Sequence, residues 1–144
     1  MSSSNSPQMV EQIVQDHVRI SHPITAPSLV IDMRKNRIRI HKQTLHLLGD
    51  PDFVQLLVNP STQTIAIRCS TSNDHLAHRI HWKTISGKQC CELYSKILMD
   101  TMSDVFLYLS PNQSYRITGT LYEKNRLAHF SLRDSVCLGT NGGE

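Results

Sequence analysis

Apolar residues recur along this chain in two rhythms, one helical and one strand-like. Val10, Ile13, Val14, His17 and Val18 share one face at helical spacing, and Ser6–Pro7 ahead of them supplies a cap and a first-turn proline. At about three turns such an N-terminal helix is too short to persist alone, so it is expected to dock on a larger body. Pro23 and Pro27 punctuate a loop, and Leu29–Ile31 reads as a short strand. Asn36–His41 then alternates, with Ile38 and Ile40 on one face and Arg37, Arg39 and His41 on the other. Lys42–Leu48 suits one or two helical turns, closed by Gly49 where a left-handed cap is favoured. Phe53–Val58 and Gln63–Cys69 predict a pair of strands about the turn Asn59–Thr62, with Ile65 and Ile67 on one face.

Ser70–Asp74 is a polar bridge to a second half. Leu76–Thr84 fits either an extended or a partly helical chain. Ser86 and Gln89 form a capping box ahead of the stripe Cys90, Leu93, Tyr94, Ile97, Leu98 and Met102, which predicts a helix over 86–102. Val105–Leu109 reads as a strand and Pro111–Asn112 as a turn. Ser114–Tyr122 and Arg126–Leu132 pair as a hairpin around Glu123–Asn125. Residues 28–70 and 76–133 therefore run through the same order, strand, helix, strand, turn, strand, without resembling one another in sequence. The expected fold is α+β, dominated by short antiparallel strands in one domain over 9–137. Residues 1–8 are expected to be disordered and 138–144 to form a flexible tail.

Composition narrows the function classes. A chain of 144 residues suits one domain with a real core. MSSSNSPQ carries neither the positive nor the apolar region of a secretory leader, and no apolar run approaches the ~20 residues that span a bilayer. Cys69, Cys90, Cys91 and Cys137 show no C-x-x-C spacing, so reduced, mostly buried thiols and a cytoplasmic setting are expected. The net charge of +3 is unevenly spread. Arg34, Lys35, Arg37, Arg39 and Lys42 lie close together with no acid among them, leaving the rest of the chain net acidic.

The segment NRIRIHKQTLHLLGDPDFVQLLVNPSTQTIAIR resembles the AbrB-type swapped-hairpin transcription regulators. Arg37, Ile38, Ile40, Lys42, Leu48 and Gly49 match that motif in register. Two such units in one chain would resemble the two-copy MraZ-type arrangement. The resemblance implies a swapped-hairpin barrel whose basic strand–helix segment faces duplex DNA, with a homodimer expected. The residues it nominates are Arg34, Lys35, Arg37, Arg39, His41, Lys42 and His46. Asn36 stands where the motif has glycine, His41 where it has proline, and Gln43 and Thr44 replace an acidic and an apolar residue. Leu45 and His46 stand where the family often has two arginines. This last difference supports an alternative, a protein–protein adaptor that has lost DNA contacts and works through the helix at 86–102.

Each candidate has a bland counterpart. The basic run reads as a phosphate face, as a site for another acidic partner, or as an edge strand kept soluble by charge. With no aromatic residue interleaved, stacking on single-stranded nucleic acid is disfavoured. His75, His78 and His81 invite a metal reading, but steps of three place them apart on either a helix or a strand, and no metal or other cofactor is expected. No catalytic motif is present. Cys90 belongs to the apolar stripe and is expected to pack, leaving Cys91 off it and exposed. The chain reads as a binding protein and not as an enzyme.

Overall fold

The computed structural model describes residues 10–11 and 26–139. Those residues form an α+β fold of two five-stranded antiparallel sheets and three short helices. In chain order the elements are β1 (Ser28–Asp32), β2 (Arg37–His41), α1 (Lys42–Leu47), β3 (Phe53–Asn59), β4 (Thr64–Ser70), β5 (His78–Arg79), α2 (Trp82–Ile85), β6 (Cys90–Tyr94), α3 (Lys96–Val105), β7 (Ser114–Thr118), β8 (Thr120–Tyr122), β9 (Leu127–Ser131) and β10 (Val136–Gly139). Sheet I runs β10-β7-β1-β2-β6 and sheet II runs β5-β3-β4-β9-β8. Among the described residues both sheets are open, and no barrel closes.

The alternation read from the sequence sets the layers. Ile38 and Ile40 of β2, Leu29 and Ile31 of β1, and Ile117 of β7 are at most 1% exposed and point from sheet I into one core. Val54, Ile65, Ile67, Ala128 and Phe130 meet them from sheet II, with Leu45 and Leu48 from α1 and Met99 and Met102 from α3. Burying one such aliphatic side chain contributes roughly 1.5–3 kcal/mol. The far face of sheet II holds a smaller apolar cluster of Leu57, Ala66, Tyr122 and Leu127, covered by Val10. Beside it the Glu11 carboxylate accepts hydrogen bonds from the hydroxyls of Thr62 and Thr64 and contacts His129 Nε2 at 3.1 Å. Val10 and Glu11 are helical; the rest of the expected N-terminal helix, residues 1–8 and residues 140–144 lie outside the described residues.

Local chemistry explains the turns. The buried Asp32 carboxylate accepts from the backbone N–H groups of Arg34 and Lys35, both at 3.1 Å, and closes the β1–β2 hairpin. Asn36 completes that turn at φ 54°, a conformation asparagine tolerates. Gly49, at φ 90°, ends α1 as its position suggested. The long strand expected over 114–122 bends at Gly119 and passes from sheet I to sheet II. There a Cβ would strike the His129 carbonyl oxygen and the Phe130 ring.

Three expectations are corrected. No helix covers 86–102: Cys90–Tyr94 is strand β6, and the helix starts seven residues after Gln89, at Lys96, capped by the Ser95 hydroxyl, which accepts from Leu98 N–H. The apolar stripe fused two patterns: Leu93 alternates with Cys91 on the inner face of β6, while Leu98 and Met102 belong to a helical set with Met99 and Val105. Second, Val105–Leu109 is not a strand; α3 runs through Val105, and Gln63 holds the chain beyond it. Gln63 Oε1 accepts from Leu107 N–H at 2.8 Å while its Nε2 donates to the carbonyls of Pro60 and Val105. Third, residues 138 and 139, expected to belong to a flexible tail, lie in strand β10, Val136–Gly139, which pairs with β7.

Candidate nucleic-acid interface

Because Ile38 and Ile40 face the core, Arg37, Arg39 and His41 face outward from sheet I. Strand register then lays charges in rows. Arg39 sits opposite Val30 on one side and Glu92 on the other, and Val30 in turn faces Arg116 of β7. In the next row Arg37 lies between Asp32 and Tyr94. Arg34 and Lys35, exposed in the hairpin turn, extend the positive face beyond its end. A cavity of about 140 Å³ lies on this face between Arg39, His41 and Arg116, lined also by Val30 and Cys90.

Acids temper the face. Arg37 Nε donates to Asp32 Oδ2 at 3.1 Å, and its Nη1 donates to Glu92 Oε2 at 3.0 Å. Arg39 Nε approaches the same Glu92 oxygen at 3.5 Å, and Tyr94 Oη donates to Glu92 Oε1 at 2.9 Å. Burial opposes the charged form of Asp32. The Lys35 backbone N–H, the Arg37 guanidinium and the Ser114 hydroxyl outweigh that penalty and hold the carboxyl below its ordinary value. Among the described residues five arginine and lysine side chains at this face thus stand against two carboxylates.

Two of the seven nominated residues do other work. Lys42 Nζ donates to the carbonyls of Ser86 at 3.1 Å and Ile85 at 3.5 Å, tying α1 to the end of α2. His46 lies 2.6 Å from Asp50 through Nδ1 and stacks on Trp82 with ring centroids 5.7 Å apart. The N-terminal end of α1 adds no free donor to the strip from its first two residues. His41 Nδ1 accepts from Gln43 N–H, and Lys42 N–H donates to the Gln89 carbonyl. Thr44 fills the motif's apolar helix position by burying its hydroxyl against the Ser28 backbone, donating to Ser28 O and accepting from Ser28 N–H.

Arg116 was missed in the sequence. The signal was there in the outward position of Arg116 between the inward Tyr115 and Ile117, but nothing local places β7 beside β1. Comparisons with known proteins add nothing further. The chain matches no family model, no curated protein and no solved structure.

The other candidate chemistries fall into place geometrically. His75 is exposed in a turn, His78 lies in β5 opposite Val54, and His81 precedes α2. Among the described residues no three histidine, cysteine or acidic side chains gather as a metal-holding group. Among the described residues none of the four cysteines is in a disulfide; Cys91 is buried, Cys69 and Cys90 are half-buried and Cys137 is exposed. The expected contrast at 90–91 is reversed because the pair sits on a strand, which turns Cys91 inward. Burial, with help from the neighbouring Cys90 and Glu92, pushes the Cys91 thiol up to about 11, the opposite of activation. No helix among the described residues is long and apolar enough to cross a membrane.

Proposed function

We propose that this chain is a DNA-binding regulator or antitoxin-type module, not an enzyme, that holds duplex phosphates on the outer face of sheet I. The observation that carries the reading is the cavity between Arg39, His41 and Arg116, with Arg37 beside it and the Arg34–Lys35 turn at its edge. Guanidinium groups spaced along neighbouring strands suit a phosphate backbone, which fixes position without reading sequence. Cytoplasmic location and a homodimer, which would double the basic face to match a two-fold site, belong to the same proposal.

The swapped-hairpin relationship is part of it. Asn36 and Gly49, at the two glycine positions of the resembled motif, both have the positive φ that glycine serves. Strands of the two halves interlock within one chain, β2 pairing antiparallel with β6 and β4 with β9. This supports the two-copy form, in which the second hairpin is supplied internally.

The test is fluorescence anisotropy of labelled duplex DNA across a salt series. With Arg34, Lys35 and Arg116 on phosphates and Arg37 and Arg39 shared with Glu92, the log–log slope is expected at roughly −3 to −4. Arg39→Ala with Arg116→Ala should flatten it by about 1 to 2 and weaken binding. Absence of binding at low salt, or a double variant that binds like the parent, removes the reading. A second reading, a protein adaptor of similar fold, is favoured by the apolar side chains exposed on and around α3, Ile97 at 82% and Leu107 at 86%. Under it the same double variant keeps its protein partner.

A further inference from the structure

Among the described residues β6 is an edge strand: in sheet I it has β2 on one side and no strand on the other. Its ladder polarity follows from one bond. Lys42 N–H donates to the Gln89 carbonyl just beyond the strand pair. Hydrogen-bonded pairs alternate in an antiparallel ladder, so Ile40↔Cys91 and Ile38↔Leu93 exchange the bonds with β2. The backbone N–H and C=O groups of Glu92 and Tyr94 therefore point to the open side.

Along that side runs a groove of about 230 Å³ that follows the whole of β6 and is closed opposite by the β5–α2 segment. Leu93 and Ile85 contribute apolar lining, and Arg79, His81 and Lys88 stand around it. Arg79 and Lys88 are exposed and neither is in an ion pair among the described residues. Glu92, the one acid lining the groove among the described residues, is already bonded to Arg37 on the outer face of the sheet. An open strand edge, an apolar lining and uncompensated cations converge on one occupant.

We propose that the free edge of β6 takes an extended acidic peptide of a partner protein as an added antiparallel or parallel strand of sheet I. Main-chain bonds to Glu92 and Tyr94 give the register, alternate apolar side chains of the peptide enter beside Ile85 and Leu93, and its carboxylates meet Arg79 and Lys88. A second copy of this chain fits less well. Antiparallel pairing of two β6 edges about their centre sets Glu92 against Glu92 and the same cations against each other.

The experiment is selection of a displayed random decapeptide library on the full chain, followed by anisotropy with the best synthetic peptide. The expected result is an acidic, alternately apolar consensus whose affinity falls at least tenfold in Arg79→Glu with Lys88→Glu, and as much when alternate peptide amides are N-methylated. Hydrogen exchange at the Glu92 and Tyr94 amides should slow on binding, and Arg39→Ala with Arg116→Ala should leave it unchanged. Both altered groove residues are exposed, and circular dichroism checks that the variant is folded. No enrichment, a basic consensus, or binding indifferent to the double reversal overturns the proposal. Protection of those two amides that rises with protein concentration alone assigns the edge to a second copy, and displacement of the peptide by duplex DNA assigns it to nucleic acid; either result overturns it too.

Discussion

Asp32→Asn is the substitution whose consequences the structure specifies most fully. The side chain is 1% exposed and holds two backbone N–H groups of the hairpin turn and the Arg37 guanidinium. Asparagine keeps one acceptor oxygen for the turn but presents an NH2 group or a neutral oxygen to Arg37. Removing one partner of a buried pair costs about 3–5 kcal/mol. Arg37 retains Glu92 and Tyr94, so the cost falls below that range and about 2–3 kcal/mol is expected near neutral pH. For a chain of this size that moves a urea midpoint down by about 1 M. The pH dependence has a definite sign. The folded carboxyl titrates below its ordinary 3.8, so the stability from its ionised form is full above that value and is lost as pH falls through the lower folded one. The gap between parent and variant should therefore be widest at neutral pH and shrink towards pH ~3, because the variant has no carboxyl to protonate. Urea unfolding followed by Trp82 fluorescence at several pH values measures it. A variant within about 0.5 kcal/mol of the parent at neutral pH, or a gap that does not narrow with acid, refutes the assignment of Asp32 as the ionised organiser of the turn.

Other outcomes follow from the same geometry. Gly119→Ala should lower stability by roughly 2–3 kcal/mol, because the added methyl meets a backbone oxygen that cannot move aside; an unchanged urea midpoint would mean that the bend is soft. Gln63→Leu keeps volume but strands the Val105 carbonyl and the Leu107 N–H, so a loss of about 2 kcal/mol is expected by thermal unfolding. Glu92→Gln releases Arg37 and Arg39 and should tighten duplex binding a few-fold at low salt; weaker binding would mean that these arginines do not reach phosphate. In thiol labelling at pH ~8, Cys137 should react first and Cys91 roughly 100-fold or more slowly, as read by mass spectrometry of the peptides.

The elements legible in the sequence are those whose signal is local. Ile38 and Ile40 alternate with arginines, Gly49 follows a helical turn, and Asn59–Thr62 makes a turn, so β2, α1, β3 and β4 are found within a residue or two of their expected positions. The failure at 86–102 has a physical cause. A short strand and a helix of about three turns abut at Ser95, and their apolar residues happen to continue one another at helical spacing. The Ser95 cap, with its acceptor bond from Leu98 N–H, is a signal of the same kind as the Ser86–Gln89 box. Propensity cannot choose between them, because tertiary pairing of β6 with β2 decides it.

The candidate site was legible in kind but not in membership, and the reason bears on how a charged run should be weighed. Five cations close together in sequence bound what that run can contribute to one surface, not the charge of the surface. Alternation sends Arg37 and Arg39 outward together, but the turn into α1 directs Lys42 at the end of α2, and the next helical turn places His46 against Trp82. Register then adds Arg116 from 77 residues further along, together with the acids Asp32 and Glu92, none of which the run itself announces. The face that results is less positive than the run suggests and more defined. Arg37 and Arg39 are held at fixed spacing by Asp32 and Glu92, and under the proposed function that restraint lowers the entropy lost when a phosphate takes the place of an acid as their partner.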